Sequence, residues 1–171
     1  MSQTPVTSRQ KVRRPAQAPL LDRLIDEEPA RGGDQPVSAT ETLERLRRSV
    51  HRDLEGLLNA RRPWRSVPDG LPELRLSPLG YGIPDFTAGA FNDRRQREAL
   101  RSEIEEAILH FEPRLSQIQV QLIDDGDLLR TTLRLRIDAL LRVDPAPEPI
   151  IFDTIVDATT ADVTLRPLNE A

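Results

Sequence analysis

The chain has 171 residues, a length that suits one domain with room for a tail. Hydrophobic residues make up 37% and charged residues 30%, enough for a modest core, while 4% aromatic content is thin for lining a large ligand pocket. A net charge of −4 and a pI of about 5.3 give no global positive field for non-specific nucleic-acid binding, and the lack of cysteine excludes disulfides, thiolate catalysis and cysteine-based metal sites.

Lys11 is the only lysine, so nearly all the positive charge is arginine, whose rigid fork suits bidentate pairing with carboxylates at interfaces. The N-terminus carries basic residues but no following apolar run, and no stretch approaches the roughly 20 apolar residues that span a bilayer. The expectation is a cytoplasmic protein without direct membrane insertion.

Residues 1–36 read as an N-terminal arm, polar and punctuated by Pro and Gly. Within it "LLDRLIDEE" places Leu20, Leu21, Leu24 and Ile25 on one short helical stripe, too short to be stable alone. Such a segment, near residues 20–28, either docks on its own domain or folds on a partner, with Leu21, Leu24 and Ile25 as the contacts. The domain proper is expected over 37–171.

The first main helix starts at Ser38, where "SATE" is a capping box: Ser38 caps the backbone and Glu41 reciprocates. Leu43, Leu46, Val50, Leu54 and Leu57 form its core stripe, and it should end near Asn59. Residues 61–86 follow as an irregular connection rich in Pro and Gly, anchored by Trp64, Tyr81 and Phe86, with "ELRLS" alternating enough to suggest a short strand. Arg61, Arg62, Trp64 and Arg65 could bind a phosphate backbone, but basic residues before a proline more simply end a helix.

A second helix should begin near Asn92 or Asp93, capped through "DRRQ", and run to His110 or Phe111 with Leu100, Ile104, Ala107, Ile108 and Phe111 inward. Strands are expected over 115–124, over 128–143 after a "DDGD" turn, and over 150–157, with "DVTLR" as a last edge strand. The fold class is α+β: two main helices packed on one face of a small, mostly antiparallel sheet, with a flexible N-terminal arm.

Between the second helix and the first long strand lies "HFEPRL". The residue before a proline is pushed out of the α region, so Glu112 should be extended and the helix should end by Phe111. Counting by twos from Glu112 places Arg114, Ser116, Ile118, Val120 and Leu122 on the core face, and Leu115, Gln117, Gln119, Gln121 and Ile123 on the other. Glu112 and Arg114 then need partners. Either they form an internal ion pair that fixes the corner, or they reach a partner's charges across an interface.

Enzyme chemistry has little to build on. A glycosidase needs two facing carboxylates, and none can be singled out; Glu112 beside Arg114 would stay ionised, which is wrong for a general acid. His51 and His110 fall on different helices, "DDGD" lacks the length of a calcium loop, and no nucleotide-binding or nucleophile-elbow motif occurs. No cofactor and no metal site is expected.

Taken together, "LLDRLIDEEP", the helix ending in "LLNARR", "SPLGYGIPDF" and "HFEPRL" before "IQVQL" resemble the TssE family of type VI secretion baseplate proteins, from about Leu20 to Leu165. That family is related to a lysozyme-like baseplate wedge protein of contractile-tailed phages. The resemblance implies a structural wedge subunit, not an enzyme, held at the inner-membrane-docked baseplate with TssF, TssG and TssK. On it the contractile sheath of TssB and TssC begins to polymerise. It also implies that Glu112, Pro113 and Arg114 are the signature element associated with assembly, and that Tyr81, Gly82, Pro84 and Asp85 form a structural loop. The alternative reading is a lysozyme-like peptidoglycan hydrolase. The strands near the C-terminus would offer an edge for strand exchange with a sheath subunit.

Overall fold

The structure is a computed structural model that describes residues 24, 38–62, 71–86, 93–123, 132–157 and 159–168. Among the arm residues named above, Leu24 is helical and exposed, whereas Leu21 and Ile25 lie outside the described residues, as do Trp64 and the "DDGD" turn.

Helix α1 spans Ala39–Asn59. Ser38 caps it, its hydroxyl accepting from the Glu41 N–H at 3.1 Å, which satisfies one of the helix's unpaired donors. Glu41 does not complete the box; its carboxylate pairs with Arg45 one turn on, at 2.9 Å. Leu46, Val50, Leu54 and Leu57 are buried as the stripe requires, and Ser49 and Leu58 join them. Each fully buried leucine such as Leu54 contributes roughly 2 kcal/mol through removal of apolar surface from water.

In the connection to the second helix, the described residues form short regular elements. Arg61–Arg62 (β1) pairs in parallel with Ile83–Pro84 (β2), and between them lie two 3-10 turns, Pro72–Leu76 and Pro78–Gly80. The strand expected from "ELRLS" is therefore a 3-10 turn. Pro72 presets its first turn, and the alternation of Leu74 and Leu76 does not mark a buried sheet face, since Leu76 is exposed.

Helix α2 spans Arg94–Phe111, capped by the Asp93 carboxylate accepting from the Arg95 N–H at 3.0 Å, and buries Leu100, Ile104, Ala107 and Ile108. Strands Leu115–Ile123 (β3), Thr132–Leu141 (β4), Glu148–Asp157 (β5) and Val163–Pro167 (β6) form one antiparallel sheet in chain order. Leu133, Leu135, Ile137, Ala139 and Leu141 of β4 alternate toward the helices, opposite Phe152 and Val156 of β5 and Leu165 of β6. The fold is α+β, with both helices on one face.

The face assignment along β3 needs correction. Leu115 is buried opposite Leu141, and Val120 is buried opposite Ile137, although five residues apart they should face opposite sides. The reconciliation is a bulge. The register shifts between Ser116 and Gln119, where two β3 residues oppose one on β4, and Gln117 takes a positive φ of 52°. Parity counted through an unbroken strand therefore misplaces Leu115.

The β6 edge is closed from α1. Asn59 donates its side-chain amide to the Val163 carbonyl at 2.8 Å and accepts from the Val163 N–H at 2.9 Å, as a neighbouring strand residue would. A ring nitrogen of His51 lies 3.1 Å from the Leu165 carbonyl, and Pro167 has no N–H to offer. These are devices that blunt a sheet edge. Asn59→Ala should lower stability by about 1–2 kcal/mol, since it strands both Val163 groups. Urea titration checks this, and a variant as stable as the parent would mean that the ladder alone holds β6.

Candidate functional site: the α2–β3 corner

Pro113 forces the chain out of α2. Glu112 is the C-cap, at φ −121° and ψ 76°, with its N–H still donating to the Ile108 carbonyl at 2.9 Å. The Leu115 N–H then donates to the Glu112 carbonyl at 3.1 Å, which closes a tight turn over 112–115. Pro113 sits exposed at its tip, while Glu112 is only 3% exposed.

This turn folds the Arg114 guanidinium back onto Glu112. Its Nε donates to Glu112 Oε1 at 2.6 Å and its Nη2 donates to Oε2, a bidentate pair, and the Arg114 backbone N–H adds a third donor to Oε1 at 3.3 Å. The fork has further acceptors on α1: Nη2 donates to Asp53 Oδ2 at 2.7 Å and Nη1 donates to the Ser49 hydroxyl at 3.1 Å. Arg52 completes the network through Asp53 Oδ1, at 3.1 Å. The Arg114 carbonyl accepts from the Arg142 N–H at 2.8 Å, tying in the end of β4. One arginine therefore joins α1, the end of α2 and the first and second strands of the sheet.

The electrostatics follow from this geometry. The hydrogen bonds that Arg114 donates to Glu112, helped by those to Asp53, raise its pKa even against burial, so it stays charged throughout. Burial works against ionisation of Asp53, but bonds from Arg114 and Arg52 outweigh it and hold the carboxyl below its ordinary value.

Of the loop residues, the structure brings Tyr81 to the same corner, while Gly82, Pro84 and Asp85 lie against the end of α1 and β1. The Tyr81 ring meets Phe111, the last residue of α2, edge to face at 5.3 Å, and its hydroxyl lies over Gly56 of α1. Burial and the negative charges of Asp53 and Glu112 raise the Tyr81 pKa, so the phenol stays neutral. Gly82 turns the chain so that the Ile83 N–H donates to the Ala60 carbonyl at 3.0 Å, and Pro84 pairs in register with Arg62. Asp85 lies near Arg61, whose guanidinium stacks on the Phe86 ring at 4.5 Å and reaches the Leu58 and Ala161 carbonyls. The basic Arg61 and Arg62 are thus used inside the fold, Arg62 pairing with Glu103.

Ser49 and Asp53 are the site residues that sequence reasoning missed. The signal was present: they stand three and seven positions after Leu46, on the border of the stripe that Leu46, Val50, Leu54 and Leu57 define, where polar residues call for partners. Among the described residues no group of three metal-binding side chains occurs, and no helix is long and apolar enough to cross a membrane.

A network of this kind joins elements rather than presenting a reactive group to solvent, and the class it defines is a small α+β structural domain. The family model described as Baseplate wedge protein gp25 matches residues 44–146, a span that contains both the Tyr81 loop and the Glu112–Arg114 corner. The chain belongs to that family, and its role is that of a baseplate structural protein. A search of curated proteins returned no match.

Proposed function

We propose that this chain is the wedge subunit of a type VI secretion baseplate, cytoplasmic and docked at the inner membrane, held with TssF, TssG and TssK. In that position it starts the polymerisation of the TssB–TssC sheath, in part by pairing a sheet edge with a sheath strand. The observation that carries this reading is that Tyr81 of one motif segment meets Phe111 beside Glu112–Arg114 of the other, within the span matched by the baseplate wedge family. The arm, with Leu21, Leu24 and Ile25, would add a separate contact to a neighbouring subunit.

Affinity capture of the intact chain from cells that carry such a system should recover the baseplate and sheath components. Removal of residues 1–36 should lose a subset of them. Capture of none of these components by the intact chain would overturn the reading.

The hydrolase alternative is poorly served by the corner. Its two closest carboxylates, Glu112 and Asp53, both accept from the same Arg114 Nη2. Hydrogen bonds from the guanidinium take up both carboxylates, and burial keeps Glu112 from any substrate, whereas a glycosidase needs two carboxyl groups that face its substrate.

A further inference from the structure

More than half of the large apolar side chains left in solvent belong to one short segment. Among the described residues seven are exposed, and four of these, Leu71, Leu76, Leu79 and Tyr81, lie on or beside the two 3-10 turns. The turns fold against each other, with Gly80 buried on the Arg75 carbonyl, and Tyr81 follows with its hydroxyl over Gly56 of α1. Single exposed leucines are ordinary on a protein surface, whereas a cluster calls for a cover. A fifth exposed residue is Leu24 of the arm, at 73%. With Leu20, Leu21 and Ile25 it makes the arm's apolar stripe, and Asp26, Glu27 and Glu28 follow at once.

Helix α1 leads from the arm to this surface. From its cap at Ser38 to Gly56, under the Tyr81 hydroxyl, is about 27 Å at the helical rise per residue. The ten chain links between Glu28 and Ser38 can extend to about 33 Å, and Leu24 and Leu21 lie further out still, so the stripe reaches Tyr81 with length to spare. Along that path α1 exposes Arg45, Arg48 and Arg52, which their spacing of three and four residues puts on one side of the helix, with Gly56 next in the row. Arg45 and Arg52 remain about half exposed despite their pairs with Glu41 and Asp53. Arm and domain therefore match in order: acids nearest Ser38 against the arginine row, leucines beyond them against the apolar turns.

We propose that residues 20–28 are a strap that folds back along α1 and covers Leu71, Leu76, Leu79 and Tyr81 of the same chain. Asp26, Glu27 and Glu28 lie along the arginine row, and Leu21, Leu24 and Ile25 sit on the apolar turns. Leu24 and the four residues are exposed together in the structure, which shows the strap open. The same stripe cannot serve a neighbouring subunit while it covers the turns, so taking up the arm elsewhere uncovers them. The inference concerns the free chain and goes beyond the baseplate reading without resting on it.

The full chain has no cysteine, so the pair Leu24→Cys/Leu79→Cys reports on their contact alone. In dilute solution, oxidation should close a disulfide within one chain at least about tenfold faster than in Leu24→Cys/Leu168→Cys, whose second site is an exposed leucine just past β6. Adding Leu21→Asp and Ile25→Asp should bring the rate down to that of the control pair, and adding Arg48→Glu should slow it several-fold. All of these positions lie in the arm or on the surface, so the domain keeps its fold. A rate no faster than the control's overturns the inference. So does a rate that neither the arm substitutions nor Arg48→Glu alters, because it reports the tether alone. A disulfide that joins two chains, with a yield that falls on dilution, gives the surface to a second copy and overturns the strap. The capture of baseplate and sheath components decides the other reading separately.

Discussion

Arg114→Ala should lower the free energy of unfolding by about 3 kcal/mol, and Glu112→Ala by clearly less, although the two residues are partners in one ion pair. The asymmetry comes from what each change leaves behind. Without Arg114, the Glu112 carboxylate stays almost wholly buried, with only one long backbone N–H bond for compensation. Without Glu112, Arg114 is partly solvated and retains Asp53 and Ser49 as acceptors. It follows that Glu112→Ala introduced into Arg114→Ala should recover part of the loss, because it removes the stranded charge. A denaturant-based double-mutant cycle measures this directly. Equal single-site losses, or a double variant as unstable as the sum of the two, would mean that the network does not act as described.

The pH dependence separates the same two states. In the parent, Asp53 is held below its ordinary value, so its contribution is in full force above an unfolded-state value of about 4 and is lost as the pH falls through the lower folded value. In Arg114→Ala the Asp53 carboxylate keeps only Arg52, so most of this contribution is missing at every pH. The gap between parent and variant should therefore narrow as the pH is lowered through the folded-state value of Asp53. A gap that stays constant with pH would mean that Arg114 does not hold Asp53 in its charged form.

How much of this corner is legible in the sequence depends on the link involved. Both helices follow from their caps and stripes, because Ser38, Asp93 and the leucine spacing act locally. The end of α2 at Phe111 follows from the steric effect of Pro113. The side-chain directions do not. Parity counting assumes a regular strand, but 112–115 is a turn and 117–118 is a bulge, and each of these shifts the phase. Glu112 faces inward through the turn, not through strand alternation. The Asp53 contact was hidden for another reason: it joins residues 61 positions apart, and no local pattern fixes which carboxylate of α1 meets the guanidinium. The 3-10 turn at Pro72–Leu76 shows a two-residue alternation mistaken for a strand, where proline and the absence of a pairing partner decide otherwise.

The loop that carries Tyr81 to the corner makes the second large expectation. Gly82 has a φ of 98°, and a Cβ placed on it would lie 2.4 Å from the Ala60 carbonyl oxygen and 2.8 Å from its carbon. Both obstacles are backbone, so neither can swing aside. Gly82→Ala combines a disfavoured backbone region with a steric clash, and should lower stability by about 3 kcal/mol. The clash falls on the bond between Ile83 N–H and the Ala60 carbonyl, so it should also part β1 from β2 and draw Tyr81 away from Phe111. Gly56 provides the contrast. It lies in the last turns of α1, where a Cβ would only touch the Tyr81 hydroxyl at an ordinary 3.9 Å, and Gly56→Ala should raise stability by about 0.5–1 kcal/mol through helix propensity. Thermal unfolding of the two variants should therefore shift in opposite directions, and the Tyr81 ring resonances should move far more in Gly82→Ala. If Gly82→Ala unfolds with the parent and Tyr81 keeps its environment, the tight turn does not position the tyrosine, and the meeting of Tyr81 with Phe111 at the corner loses its physical basis.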